Sequence, residues 1–372
     1  MKNKVLLRLK SLTLWHEYSP GKDVYDTIEK TLLGNPGGMR YQLLDTPKKL
    51  KETPNTNFFT MRKRDNLYCV MALMERITRF KQNLYNTCYV RYVTFNQQLS
   101  TKKTAADKQQ RMQRLGQSFI KEGMRQHAEN YPFQFDNPEI HPEKKLYYAY
   151  VEKSNKRSLD FTNFFFQKIG EFEVKMYSNL YPNIQKGFEK LSPKDLPKVK
   201  ALFKQSYNQH AFFFIDDNNL LEHCFVIKEG EEIVAATKAR ISNWRLEEVP
   251  GIAGKMLTHV LPYMPAFSRV IKKNRFSFVT FDTLYCKPGF DNYISKLFES
   301  VCTYFKIYTG MIYLDKDEEI AQRIGELNNL GFFNKIYTDA GGDILARFVK
   351  FTDKEKQEFI DNPTYVSGYD LT

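Results

Sequence analysis

Two stretches of this chain spell out the same order of elements, and that repetition limits the folds open to it. Phe58 to Met61 and Leu67 to Met74 are apolar runs around Arg62-Lys63-Arg64-Asp65-Asn66, the pattern of a β-hairpin. A third strand, rich in β-branched and aromatic residues, follows at Cys88 to Phe95. Then come a basic polar loop (Asn96 to Gln110), a helix from about Leu115 to Glu129, a strand from Leu146 to Val151 and a helix from about Ser158 to Lys168. The second stretch opens at Leu191-Ser192-Pro193-Lys194-Asp195, where Ser192 suits an N-cap and Pro193 a first helical position. Cys224 to Ile227 and Ile233 to Ala239 flank Lys228-Glu229-Gly230-Glu231-Glu232, another hairpin. A strand (Phe276 to Asp282), a helix (about Tyr293 to Phe305), a strand (Tyr308 to Leu314) and a helix (Glu318 to Leu330) complete it. The expectation is an α/β (α+β) chain of two tandem units, residues 1–190 and 191–372. Each unit carries a mixed, mostly antiparallel sheet flanked by helices.

Charge separates the two units. Of 56 Lys and Arg, 33 lie in residues 1–190, against 19 of 43 Asp and Glu, so the first unit carries +14 and the second −1. A basic half calls for an anionic partner: nucleic acid, an anionic membrane surface or a phosphorylated cofactor. Residues 1–33 read as amphipathic, with Val5, Leu6, Leu9 and Leu12 among Lys4, Arg8 and Lys10. That pattern fits a membrane-surface helix or a first element packed on a sheet.

No apolar run approaches the ~18 residues of a membrane span. The N-terminus has no signal-peptide pattern, and the expected location is the cytoplasm. Cys69, Cys88, Cys224, Cys286 and Cys302 are odd in number and widely spaced, which suits buried reduced thiols. The histidines are scattered, and no His, Cys, Asp or Glu cluster has metal spacing, so no metal is expected. His127 reads as a surface residue of the helix after the basic loop, and His223 as a packed strand residue.

Two local patterns in the first unit, in this element order, resemble the GNAT superfamily of CoA-dependent N-acyltransferases. The first is Arg111-Met112-Gln113-Arg114-Leu115-Gly116, between a central strand and a helix. It is similar to the family's pyrophosphate loop, with Arg114 where the family has its first glycine. Backbone N–H groups at a helix N-terminus suit an anion, and Gly116 permits close approach of the backbone. The second is Tyr150-Val151-Glu152-Lys153-Ser154-Asn155-Lys156-Arg157-Ser158, closing at Ile169-Gly170-Glu171-Phe172. It resembles the family's strand, Asn-x-x-Ser and Gly-Phe sequence, with Glu171 inserted. The loop with Arg114, its continuation Phe119-Ile120-Lys121-Glu122, and Lys194-Asp195-Leu196-Pro197 resemble N-myristoyltransferases, which are two fused GNAT folds.

The resemblance implies a donor site on the first unit for acetyl-CoA or another acyl-CoA. Its residues would be Thr94, Phe95, Asn96, Arg111, Arg114, Leu115, Gly116, Gln117, Ser118, Asn155 and Ser158. It also implies an amine acceptor, a small molecule or a peptide. In the second unit Leu330-Gly331-Phe332 is a cleaner Gly-Phe close, but the loop from Asp282 to Asn292 lacks the basic phosphate pattern. Acyl transfer needs a neutral amine and a stabilised oxyanion. The Tyr that many relatives use as acid falls at Thr162, or at Phe166 in a shifted register. Glu75, Glu152 and Tyr148 are the candidate catalytic side chains. Both carboxylates also suit a solvated strand end. In N-myristoyltransferases the terminal carboxylate is the base, and the equivalent here is Thr372. Phe161, Phe164, Phe165 and Phe166 on one helix would pack between units or line an acyl tunnel.

Two further functions stay open from the sequence. One is an acyltransferase relative without catalysis, serving as a binding or scaffold protein. The other is a basic nucleic-acid-binding protein, although no recognised nucleic-acid motif is present. Contact with an anionic membrane is also compatible with the charge.

Overall fold

The computed structural model describes residues 3–34, 38–53, 55–95, 118, 120–129, 135, 139–153, 155–163, 165–215, 217–249, 251, 254, 256, 260–264, 267–272, 275–336 and 340–372. Strands dominate it. They are β1 (Lys4–Leu9), β2 (Leu12–Glu17), β3 (Arg40–Leu43), β4 (Thr56–Lys63), β5 (Asn66–Phe80), β6 (Asn83–Phe95), β7 (Ile140–Glu152) and β8 (Gln167–Ser178) in the first half. The rest are β9 (Phe188–Lys190), β10 (Cys224–Glu229), β11 (Glu232–Glu248), β12 (Ile271–Lys272), β13 (Arg275–Cys286), β14 (Thr309–Asp315) and β15 (Gly341–Val349). The β4–β5, β10–β11 and central-strand expectations are all met.

One continuous sheet joins the two halves, in the order β1-β2-β4-β5-β6-β7-β15-β8-β14-β13-β11-β10-β9, with β3 on β11 and β12 on β13. Neighbours are antiparallel except β6–β7 and β13–β14. The last strand of each half has crossed over. β8 pairs with β14 and β15, and β15 pairs with β7 and β8. Crossing leaves no free edge at the junction, where an unpaired strand would be open to stray pairing.

Several local expectations are corrected. Residues 4–17 form a hairpin packed into the sheet, not a membrane-surface helix. Lys10 takes φ 53° at its turn, and Leu12, Leu14 and His16 alternate inward while β2 pairs with β4. Period-2 burial on a sheet therefore overrides the helical spacing of the leucines. The helix expected over 158–168 is Lys156–Thr162, and β8 begins at Gln167. Pairing on both edges of β8 supplies the ladder bonds a helical continuation would forgo. Phe165 and Phe166 thus lie beyond the helix, buried with ring centroids 5.3 Å apart. The helix after Ser192 starts at Leu196, with Asp195 as N-cap, and the helix expected to reach Leu330 is Glu319–Gly325.

The two faces of the sheet carry separate cores. One packs Leu14, Phe59, Met71, Leu73 and Val90 under the helix over 120–129. The other packs Val70, Tyr89, Tyr148, Phe212 and Phe359, and holds the helix Lys22–Glu29 and the C-terminal segment. All five cysteines are buried, and none forms a disulfide. No helix among the described residues is long and apolar enough to cross a membrane.

Candidate functional site

The site begins where a ladder stops. β6 and β7 pair in parallel from Leu84↔Ile140 to Tyr89↔Tyr148. Beyond that point Val90–Phe95 stay on β5, and Ala149–Glu152 stay on β15. The strands therefore splay from a vertex at Tyr89 and Tyr148. Just past it β6 carries a bulge. Ala72 pairs with Arg91 and Val70 with Thr94, and Tyr92 takes φ 53°. Such a bulge leaves an extra residue out of the ladder and turns its peptide groups.

Strand alternation puts Arg76, Tyr89, Tyr148, Tyr150 and Glu152 on one face of this vertex. Over them lies the turn Gly368–Leu371, which the chain reaches after crossing the same face. Arg76 grips Asp370 through both guanidinium nitrogens, at 2.9 and 3.0 Å. Burial opposes the charge of Arg76, but the Asp370 carboxylate outweighs it, and the net shift is upward. Tyr89 donates to the Asp370 carbonyl (3.1 Å), and Tyr148 reaches the Asp370 carboxylate at 3.5 Å. Tyr148 is fully buried and stacks on Phe212 at 4.5 Å. Burial keeps its hydroxyl far above the ordinary tyrosine range, so it acts as a neutral hydrogen-bond donor. Thr372 is 2% exposed. Its backbone oxygen accepts from Arg91 (3.3 Å), and its hydroxyl meets Ser242 (3.0 Å), Thr280 (3.2 Å) and Lys49 (3.5 Å).

The sequence candidates divide between the two faces. Tyr148 and Glu152 share the face just described. Glu152 is half-buried and accepts from Tyr41 at 2.5 Å, while Tyr41 stacks on Trp244 at 4.1 Å. Thr94 is held by the Thr31 hydroxyl at 2.9 Å. Glu75 lies on the opposite face and is not a solvated strand end. β5 runs on to Phe80, so Glu75 sits mid-strand, buried, accepting from Asn57 at 2.9 Å. His127 is likewise buried rather than surface-exposed. Its Nδ1 lies 2.9 Å from the Tyr147 hydroxyl, and its ring lies 4.8 Å from His16. Burial pulls His16 down to about 4 and His127 well below the usual range. His223 ends the short helix Asp217–His223 rather than lying in a strand.

Asn155 spends its side-chain oxygen on the Ser158 N–H (3.1 Å), so Asn155, and not Ser158, is the N-cap. Ser158 accepts instead from Thr162, through its carbonyl, at 2.7 Å. Ser118 is exposed and helical, and residues 120–129 are helical. For Phe95 only the strand backbone is described. Asn96, Arg111, Arg114, Leu115, Gly116 and Gln117 lie outside the described residues. Among the described residues no group of three or more His, Cys, Asp and Glu is arranged to hold a metal.

Sequence reasoning missed Arg76, Arg91, Asp370, Lys49 and Arg240 as neighbours. Lys49 alone meets Thr372 across 323 residues of chain, and no local pattern connects the set.

The second half repeats the splay. β13 and β14 pair only from Val279↔Gly310 to Phe281↔Ile312, and Thr283 takes φ 42° at a bulge opposite Thr237 and Lys238. Here protein closes the gap. The Tyr207 hydroxyl accepts from the Leu284 N–H (2.8 Å) and donates to its carbonyl (3.2 Å). Asp282 accepts from the Gly368 N–H (3.0 Å) and the Tyr365 hydroxyl (2.8 Å), and Asp315 accepts from the Thr364 N–H (2.8 Å).

No family model matches this chain, and no curated protein matches it in sequence. Solved structures do match. Saccharomyces cerevisiae N-myristoyltransferase with bound myristoyl-CoA superposes with a TM-score of 0.56 at 10% identity, covering 93% of this chain and 85% of that one. A second structure of that yeast enzyme with myristoyl-CoA gives 0.56 at 9%, covering 98% and 86%. A GCN5-related N-acetyltransferase from Sphaerobacter thermophilus gives 0.47 at 8%, covering 82% and 85%. The crossed-over strands and the superposition over most of both chains show that this chain shares the fold of N-myristoyltransferase.

Proposed function

We propose that the protein transfers an acyl group from acyl-CoA to an amine. In this reading residues 1–190 hold the donor in the β6–β7 splay, and residues 191–372 complete the acceptor cleft. One observation carries it: among the described residues the β6–β7 ladder stops at Tyr89 and Tyr148 and no side chain takes up the freed backbone groups, whereas in its counterpart Tyr207 takes up both backbone groups of Leu284. Strand edges without ladder partners suit a cofactor arm rich in amides. The basic loop with Arg111 and Arg114 follows β6 in sequence and supplies the phosphate contacts.

The acceptor nitrogen attacks the thioester carbonyl, the C–S bond breaks, and CoA leaves as a thiolate. Peptide N–H groups turned by the Tyr92 bulge stabilise the oxyanion. Tyr148 donates a hydrogen bond at the vertex without giving up its proton. Glu152, on the same face, takes the ammonium proton. Glu75 faces away, and we assign it to the core.

Calorimetry with acetyl-CoA and myristoyl-CoA tests the donor site and its acyl length, and no binding of either overturns the reading. Arg111→Glu should weaken acyl-CoA binding by roughly tenfold or more, as loss of a charge-assisted phosphate contact requires. For the base, Glu152→Gln should remove the acidic limb of the pH–rate profile, and an unchanged profile overturns that assignment.

A further inference from the structure

One acid-free stretch of the second half carries exposed apolar side chains together with exposed cations. Between Glu248 and Asp282 the sequence has no Asp or Glu, and it has five Lys and Arg: Lys255, Arg269, Lys272, Lys273 and Arg275. This stretch links β11 to β13 and includes β12, which pairs with the start of β13. Met256, Val260, Tyr263 and Met264 recur within it at helical spacing. The Val260 N–H donates to the Met256 carbonyl (3.0 Å), and the Tyr263 N–H to the Val260 carbonyl (3.1 Å), so these three stand on successive turns. All four are exposed, from 44% at Met264 to 67% at Tyr263. A single exposed apolar residue is ordinary, but four in one short run mark a surface that something covers.

The cations lie beside them. The turn Leu261–Tyr263 packs against the turn Phe267–Arg269 and against β12. Arg269, Lys272 and Arg275 are all exposed. Lys272 stands directly opposite Arg275 in the β12–β13 ladder, and Lys273 is next to it in sequence. Like charges in facing ladder positions repel, so this hairpin is set against its own stability. The hydrogen bond described for Arg275 goes to the neutral side-chain oxygen of Asn243 (2.8 Å). An anionic lipid surface suits both features at once. Its acyl chains accept Met and Val, a tyrosine ring rests at headgroup depth, and the cations meet the charged headgroups. A nucleic acid would answer the charge and leave the aliphatic side chains in water.

We propose that this face docks the protein on an anionic membrane. Met256, Val260, Tyr263 and Met264 enter the boundary between headgroups and acyl chains, and Arg269, Lys272 and Arg275 contact the headgroups. Docking of this kind is peripheral and needs no spanning helix. It goes beyond the acyl-transfer reading and does not depend on it.

The test mixes the full chain with vesicles of phosphatidylcholine alone, or of equal parts phosphatidylcholine and phosphatidylserine, and reads the bound fraction by flotation. Each cation near an anionic surface strengthens binding about fivefold, so the anionic vesicles should bind roughly tenfold or more tightly than the neutral ones. The first half is also basic, and two double variants locate the contact. Tyr263→Ser with Met264→Ser removes apolar contact, and Arg269→Glu with Lys272→Glu reverses two charges. Each should weaken binding to the anionic vesicles by roughly tenfold or more, with the urea midpoint unchanged because all four side chains are exposed. Tyr263→Trp gives an independent readout, since its fluorescence should shift to the blue when anionic vesicles are added. A wild-type chain that binds neither vesicle overturns the inference, and so does an unshifted Tyr263→Trp spectrum. Loss of binding in only one double variant, or in neither, overturns it as well and places the membrane contact elsewhere. A wild-type dimer that Tyr263→Ser with Met264→Ser makes monomeric, without vesicle binding, assigns the face to a second copy of the chain instead.

Discussion

The two parallel strand pairs diverge alike and are finished differently. In each, the ladder ends within a few residues and a positive φ marks a bulge just past the vertex, at Tyr92 and at Thr283. The β13–β14 splay is sealed from within. Tyr207 satisfies both backbone groups of Leu284, and residues 364–368 satisfy Asp282 and Asp315. At the β6–β7 splay the Gly368–Leu371 turn meets Arg76, Tyr89 and Tyr148 on the polar face, but among the described residues no side chain takes up the freed backbone groups as Tyr207 does. The comparison teaches that a split sheet is a structural liability first. It must be filled by something hydrogen-bonding, and whether protein or ligand fills it separates a structural half from a working one.

The sharpest way to break the contrast is at the polar face. Asp370→Asn should strip Arg76 of its counter-ion in a buried setting and cost about 3–5 kcal/mol, read as a lowered urea midpoint. A shift below about 1 kcal/mol would mean that solvent screens the pair.

Next in size is acid sensitivity on the opposite face of the first half. His16 is held at about 4, below the ordinary 6.5, by burial. Between those values the unfolded chain binds a proton that the folded chain refuses. Stability should therefore fall as pH drops from 6.5 towards 4 and level off below, by roughly 3 kcal/mol for His16 alone. His127, also lowered, acts in the same direction, whereas Asp315, pushed up to about 6 by burial, acts oppositely in the second half. Subtracting the urea-derived stability curve of His16→Asn from that of the wild type isolates the term. A flat difference would refute it.

Tyr207→Phe probes the plug itself. It orphans the buried Leu284 N–H and should cost about 1–3 kcal/mol while leaving acyl-CoA affinity unchanged. Weaker acyl-CoA binding would show that the second splay also serves the ligand.

The smallest effect is expected at Asn155, which caps the helix after β7. Asn155→Ala should cost about 1 kcal/mol, in line with loss of an N-cap. A much larger loss of acyl-CoA binding than of stability would assign Asn155 a contact with the donor as well.

Local patterns made much of the fold legible. Arg62 to Asn66 and Lys228 to Glu232 mark hairpins because polar turns between apolar runs leave few alternatives. The sheet order of β8 and β15 was not legible. In β8, Ile169, Phe172 and Met176 are buried at helix-like spacing, and only partners on both edges make it a strand. The site divided the same way. Tyr148 and Glu152 share a face because side chains alternate along a strand, so β7 alone put them together. Glu75 went to the other face for the same reason, one residue out of step with Arg76.

What the sequence by itself determined is the repeat, the hairpins, the position of the basic loop after β6 and the charge difference between halves, since each depends on neighbours a few residues away. What tertiary structure alone decided is the exchange of last strands, the closure of the second splay and the meeting of Lys49 and Arg91 with Thr372 and of Arg240 with Tyr369. Those contacts join residues up to 323 positions apart, and their energy comes from burial and hydrogen-bond satisfaction that no local segment can achieve.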